Sequence, residues 1–124
     1  MTSSNIQSFR DLLVWQKAIA LVTQVYVVTR SFPSEERYGL TSQIRRAAVS
    51  VPSNIAEGQG RNSRKEFLQF LGIARGSLQE VETQVRLAMR FHYLTGERGS
   101  AIVDAIAEVS RILNGLVSSL TTDH

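Results

Sequence analysis

Apolar residues recur at steps of three and four along most of the 124-residue chain, the spacing of helices that bury one face. Strict 4-3-4-3 steps in the third quarter of the chain connect Phe67, Leu71, Ala74, Leu78, Val81, Val85 and Ala88. The last quarter repeats them at Ile102, Ile106, Val109, Leu113, Leu116 and Leu120. This period is typical of the seam of a left-handed bundle. It predicts one helix that begins at Ser63, whose side chain accepts from the Glu66 amide, and that ends near Leu94. It predicts another helix after a turn at Gly96–Gly99.

The first predicted helix, Phe9 to Phe32, is apolar on more than one face, and Pro33 ends it. One stripe contains Leu12, Trp15, Ile19, Val22, Tyr26 and Thr29, and a second contains Leu13, Ala20 and Val27. A bundle helix needs only about three apolar positions in seven. The surplus predicts burial against something else, most economically a second copy in a symmetric homo-oligomer. A monomer that exposes scattered apolar residues is the alternative.

The segment RRAAVSVPSNIAEGQGR, Arg45 to Arg61, keeps a helical apolar spacing through Pro52. A separate helix starting at Asn54 would be too short to be stable. We therefore predict one helix from Leu40 to Glu57, kinked at Pro52 and ended by Gly58 in a left-handed conformation. Ser53 or Asn54 would bond a carbonyl freed at the bend. An ion pair with an arginine is the favoured role of Glu57.

Four helices joined by short connectors predict an all-α fold, an antiparallel up-down four-helix bundle with a Pro-kinked second helix. The bundle would span residues 9–121, between flexible ends at 1–8 and 122–124. The chain has no cysteine, no run of 18 apolar residues and no signal-peptide pattern. We expect a cytoplasmic protein that does not enter a membrane.

The net charge of +3 is unevenly distributed, because residues 37–90 carry nine basic and four acidic side chains. Twelve of the fourteen basic residues are arginine, which binds phosphate and carboxylate in a bidentate manner. A polyanionic partner and a merely solvated basic surface both fit this composition. The candidate nucleic-acid contacts are Arg45, Arg46, Arg61, Arg64, Lys65, Arg75, Arg86 and Arg90.

These basic residues fall into groups with different expectations. Arg61, Arg64 and Lys65 place cations at the positive end of the third helix. They could contact an RNA phosphate, form a solvated basic turn, or pair with acidic residues of another subunit. Arg45 and Arg46 lie about 100° apart on their helix and do not face one partner equally. Arg86 follows Glu82 by four residues, which predicts an internal ion pair.

Gly72 and Gly76 form a G-x-x-x-G in the third helix, and each costs about 1 kcal/mol relative to alanine. Close approach of a helix from the same bundle or from another protomer is the favoured explanation. Di-iron Glu-x-x-His pairs, H-E-x-x-H, P-loop and G-x-S-x-G motifs are missing from the sequence. We expect a non-enzymatic protein with no cofactor and no metal.

Three runs of the sequence together resemble the 23S rRNA intervening-sequence protein family, also called four-helix bundle proteins. They are FRDLLVWQKA, FPSEERYGLTSQIRRAAVSVPSNIAEGQGR and KEFLQFLGIARGSLQEVETQ. The resemblance implies a kinked antiparallel bundle and a homo-oligomer, since pentamers are known among relatives. It implies little about activity: some members are encoded inside inserts of 23S rRNA genes. A related bundle is the accessory variability determinant of diversity-generating retroelements, which works with a reverse transcriptase and nucleic acid.

Two functional hypotheses follow. In the first, an oligomeric bundle acts as a scaffold associated with RNA or DNA, with phosphate contacts dominant and sequence specificity low. In the second, the bundle is an adaptor that binds another protein through its basic surface and does not bind nucleic acid.

Overall fold

A computed structural model describes residues 8–122 of the chain, which contain four α-helices. They are α1 (Leu13–Thr29), α2 (Leu40–Gln59), α3 (Arg64–Arg90) and α4 (Gly96–Thr122). Each helix packs against its two neighbours in the order α1–α2–α3–α4–α1, and the α2–α3 pair is the most extensive. No strand occurs in residues 8–122. The predicted all-α four-helix bundle is confirmed. None of the described helices is both long enough and apolar enough to cross a membrane.

The core confirms the apolar stripes of α3 and α4 and shows which side of α1 is buried. On α3 the stripe is buried from Leu71 to Ala88, and on α4 from Ile102 to Leu113. On α1 the buried residues are Val14, Ala18, Leu21, Val25, Val28 and Thr29. The predicted stripe through Ile19 and Tyr26 lies beside the core, and Ile19 is 40% exposed. Spacing could not identify the core side because several faces of α1 are apolar.

The ends of α1 differ from the predicted Phe9 and Phe32. Phe9–Asp11 forms a separate 3₁₀ turn, capped by Ser8, whose Oγ accepts from the Arg10 amide at 3.2 Å. Leu12 is then extended, with φ −76° and ψ 126°, which separates this turn from α1. Of the ends predicted to be flexible, residues 1–7 and 123–124 lie outside the described residues, while Thr122 closes α4.

The prediction that Gly58 ends α2 in a left-handed conformation is wrong. The helix continues to Gln59, Gly60 caps it with φ −79°, and no described glycine has a positive φ. Gly58 is buried inside the helix, and a Cβ there would lie 2.7 Å from the Phe70 Cβ on α3. Its role is therefore to let α2 and α3 approach each other closely.

Helix α2 is continuous through Pro52, and the kink itself stays a prediction. Pro52 has no backbone N–H, so the Ala48 carbonyl lacks the hydrogen-bond donor that an α-helix normally supplies. The Asn54 amide does not replace it, because its Nδ2 donates to the Ser50 carbonyl at 2.8 Å and to the Ser50 Oγ at 2.9 Å. The Ser50 hydroxyl is 2.8 Å from that of Ser77, which is buried on α3. Asn54 thus belongs to a polar connection between helices, not to a repair of the bend.

The turn between α3 and α4 lies four residues earlier than predicted. His92, at φ 63°, ends α3 in the left-handed conformation, and the amides of His92 and Tyr93 bond back to the carbonyls of Met89 and Ala88. Thr95 caps α4, since its Oγ1 accepts from the Arg98 amide at 3.2 Å. The GERG sequence is therefore the first turn of α4.

Candidate nucleic-acid interface

The eight predicted basic contacts do not form one surface, and several of them are engaged within the chain. Arg61 pairs with Glu57 at 2.7 Å, and its guanidinium lies 4.8 Å from the Phe70 ring centroid. The predicted ion pair between Arg86 and Glu82 is confirmed at 2.9 Å. Arg75 donates to the Asn114 Oδ1 of α4 at 2.8 Å. The expected role of Glu57, pairing with an arginine, is also confirmed.

Three further predicted contacts lie at the two ends of α3. Arg64 and Lys65 are exposed in its first turn, next to the Ser63 cap, whose Oγ accepts from the Glu66 amide at 3.1 Å as predicted. Arg90 is exposed in the last turn, where a cation suits the helix dipole. The two ends of this helix are about 40 Å apart, so these residues do not converge.

Arg45 and Arg46 border a groove between the C-terminal part of α1 and the N-terminal part of α2. Its volume is about 640 Å³. The two side chains share this groove unequally, because Arg45 is half-buried and Arg46 is exposed. We call the cluster of Tyr26, Arg37, Tyr38, Arg45 and Arg46 the Arg–Tyr groove.

Arg45 is held in place from two sides. Its guanidinium lies 4.5 Å from the Tyr26 ring centroid, and its Nη2 donates to the Tyr26 carbonyl at 3.5 Å. Its Nε donates to the Thr29 Oγ1 at 2.8 Å, and that buried hydroxyl in turn donates to the Val25 carbonyl at 2.8 Å. A guanidinium has five N–H groups, and these contacts use two. The remaining groups can serve an anion without further ordering of the side chain.

Arg37 and Tyr38 form the other rim of the groove. The Arg37 guanidinium lies 5.7 Å from the Tyr38 ring centroid, and Tyr38 is 88% exposed. Within residues 8–122, no carboxylate oxygen lies within 4.0 Å of the Arg37, Arg45 or Arg46 guanidinium. The Arg–Tyr groove therefore gathers three guanidinium groups, none of which forms an ion pair with a carboxylate of residues 8–122.

Sequence reasoning found two of these five residues. Arg37 and Tyr38 lie in the segment Pro33–Gly39, for which the sequence predicts only a connector. The spacing places Tyr26 on one of the two apolar stripes of α1. Adjacent Arg and Tyr in a polar connector were the available signal, since this pairing favours anion and base contacts.

Residues 10–115 of the chain match the family model described as 23S rRNA-intervening sequence protein. The chain belongs to this family. The resemblance recognised in the sequence is thereby confirmed, and the matched range includes the whole Arg–Tyr groove.

A solved structure shares the fold of this chain. It is the crystal structure of a protein with unknown function from the S23 ribosomal protein family of Bacteroides thetaiotaomicron VPI-5482. The TM-score is 0.79 at 24% sequence identity, over 85% of this chain and 98% of the other. At that identity the likeness concerns the fold alone. No curated protein matches the chain.

Proposed function

We propose that this protein is a non-enzymatic helical bundle that binds nucleic acid, RNA foremost, by contacting phosphates in the Arg–Tyr groove. The observation that carries the proposal is the convergence of Arg37, Arg45 and Arg46 without a carboxylate partner among the described residues. Arginine forks match the geometry of phosphate oxygens, and such contacts position a nucleic acid without reading its sequence.

RNA is favoured over an acidic protein for two reasons. The groove combines guanidinium groups with aromatic rings, and phosphates and bases together supply complements to both. The family description itself refers to an intervening sequence of 23S rRNA. An adaptor that binds an acidic protein is the competing outcome of the experiment.

The experiment compares two double variants that remove the same charge from different places. Arg37→Gln with Arg46→Gln alters the groove, and Arg64→Gln with Lys65→Gln alters the start of α3. All four side chains are exposed, so both variants should fold. By fluorescence anisotropy with a structured RNA, we expect the groove variant to bind about tenfold more weakly and the α3 variant to change by less than about twofold. The slope of log affinity against log salt should shrink by about one to two for the groove variant alone.

Equal losses in the two variants would mean that only net charge matters. A larger loss in the α3 variant would move the contact to Arg64 and Lys65. If the wild-type protein binds no RNA even at about 50 mM salt, where phosphate contacts are strong, the proposal fails and a protein partner takes its place.

We further propose that copies of this chain associate with each other. Large apolar side chains are exposed on α1 at Leu13 and Val27 and on α3 at Ile73 and Leu87. Gly72 and Gly76 lie on α3 beside Ile73, and a Cβ at either position would meet nothing within 4 Å. The approaching helix inferred from these glycines is therefore not supplied by the described residues of this chain, and a second copy is the remaining candidate. Five copies are what the family resemblance implies, and a ring would repeat the groove and add avidity.

A glycine comparison tests this association. Replacing Gly72 and Gly76 with glutamine should lower the solution mass measured by light scattering, because the new side chains occupy the contact face. The same change at Gly115, in similarly open space on α4, should leave the mass unchanged. Each replacement should stabilise its helix by about 0.5–1 kcal/mol because glutamine favours the helical conformation more than glycine does. A lower mass therefore cannot be attributed to unfolding. An unaltered mass in the double variant excludes this face, and a monomeric wild-type chain excludes the association.

A further inference from the structure

The Tyr38 side chain projects from the bundle almost unburied. Among the exposed large hydrophobic and aromatic side chains of the described residues it has the highest exposure, 88%. The guanidinium of the preceding residue, Arg37, lies 5.7 Å from the centroid of this ring. A ring left this open contributes little to the core, and its exposed face is accessible to a ligand.

The backbone that presents Tyr38 is tied down on both sides. The Glu36 carboxylate accepts from the Leu40 amide at 3.0 Å and from the Tyr93 hydroxyl at 2.9 Å, and these bonds lower the pKa of Glu36. The Gly39 amide also donates to the Glu36 carbonyl at 3.0 Å. The ring therefore stands on a fixed turn, so a ligand that covers it pays little for ordering the backbone.

The arginines of the groove stand beside this ring. Arg45 is already oriented by Tyr26 and Thr29, and Arg46 is exposed on the same groove wall. An open aromatic face beside basic side chains is the arrangement by which proteins bind single strands, where each unpaired base offers a free π-face. In a duplex the base faces are covered by stacking on the neighbouring pairs, and only the phosphates remain for the arginines.

We propose that the Arg–Tyr groove binds unpaired nucleotides, with one base stacked on the Tyr38 ring and the adjacent phosphates held by Arg45 and Arg46. This inference rests on the proposed nucleic-acid function and names its substrate class. Base and phosphate are common to RNA and DNA strands, so the shared chemistry is the unpaired nucleotide. The loops and ends of a folded RNA supply such nucleotides, as do separated DNA strands.

The experiment uses three probes on the full chain: a single-stranded RNA of about twelve uridines, the matching thymidine DNA, and a blunt RNA duplex of about twelve base pairs. The variants are Tyr38→Ala and Tyr38→Phe, because phenylalanine keeps the stacking ring and loses only the hydroxyl. We expect Tyr38→Ala to weaken single-strand binding about tenfold, as loss of one stacked base does, and duplex binding by less than about twofold. Tyr38→Phe should bind within about twofold of the wild type.

The outcomes separate this inference from the function on which it rests. If Tyr38→Ala binds single strands normally while Arg37→Gln with Arg46→Gln does not, stacking is excluded and phosphate binding stands. A duplex bound more tightly than the single strands by the wild type also overturns the inference. If the wild type binds none of the three probes, both proposals fall and the exposed ring belongs to a protein interface. Equal affinity for the RNA and DNA strands supports recognition of unpaired nucleotides in general, and stronger RNA binding assigns the site to RNA.

Discussion

Replacing Gly58 with leucine is expected to lower the free energy of unfolding by about 3 kcal/mol, and replacing it with alanine by about 1 kcal/mol. A Cβ at this position would lie 2.7 Å from the Phe70 Cβ, 3.0 Å from the Phe67 Cδ1 and 3.3 Å from the Phe67 carbonyl oxygen. Two of these atoms are backbone or next to it, so they move only if α3 moves. The gain in helix propensity on leaving glycine, about 1 kcal/mol, offsets part of the cost for alanine. A longer side chain adds to the overlap.

Urea unfolding monitored by circular dichroism measures the effect, with Gly60→Ala as the matched control. Gly60 lies two residues further along, and a Cβ there would meet its nearest neighbour, the Glu57 carbonyl oxygen, at an ordinary 3.6 Å. We expect this control to change the unfolding free energy by less than about 0.5 kcal/mol. Similar losses at both positions would show that backbone conformation at the end of α2, and not contact with α3, explains the glycines.

Gly99 differs from Gly58 in that the atoms nearest to an added Cβ belong to a flexible side chain and not to the backbone of a neighbouring helix or to atoms next to it. A Cβ at Gly99 would overlap the Met89 sulfur, which belongs to a flexible side chain that can rotate away. Gly99 in the first turn of α4 and Gly58 near the end of α2 look alike in the sequence, and each was assigned to a turn. The sequence alone does not distinguish a glycine that ends a helix from a glycine that lets a neighbouring helix approach closely. Only the position of the neighbouring helix distinguishes them.

The parts of the fold that the sequence predicted well are those with one apolar face. On α3 and α4 the apolar residues form a single stripe, so the spacing identifies both the helix and the side that is buried. On α1 the apolar residues surround most of the helix, so the spacing identifies the helix and leaves its rotation undetermined. The choice among faces depends on how α2 and α4 pack against it.

Some contacts of the predicted basic residues follow from the local sequence, and others depend on how the helices pack. The ion pair of Arg86 with Glu82 was predicted because partners four residues apart on a helix adjoin in any fold. Arg45 meets Tyr26 nineteen positions earlier only because α1 and α2 lie side by side. The sequence therefore identified the basic composition of the site. The convergence on one groove of three guanidinium groups without a carboxylate partner among residues 8–122 required the tertiary structure.

Replacing Leu21 with alanine is expected to lower the free energy of unfolding by about 3 kcal/mol, whereas Ile19→Ala should cost less than about 1 kcal/mol. Leu21 is 0% exposed, so removing three of its carbon atoms leaves a cavity that the bundle cannot fill. Ile19 is 40% exposed, and its loss leaves space that water can occupy. Both changes shorten an aliphatic side chain to the same residue in the same helix, which makes each the control for the other.

Urea unfolding of the two variants at several protein concentrations decides between the two faces of α1, which lie about 200° apart on the helix. Equal losses at every concentration would place Ile19 in the core and would contradict the rotation of α1 described above. A loss for Ile19→Ala that grows with protein concentration would instead show that another copy covers this face, because association stabilises the folded chain by mass action. Leu21→Ala should show no such excess, since its side chain is already enclosed within one bundle. Ile19, which lies on one of the two apolar stripes of α1, would then be a contact between copies, and this accounts for the surplus of apolar residues on this helix.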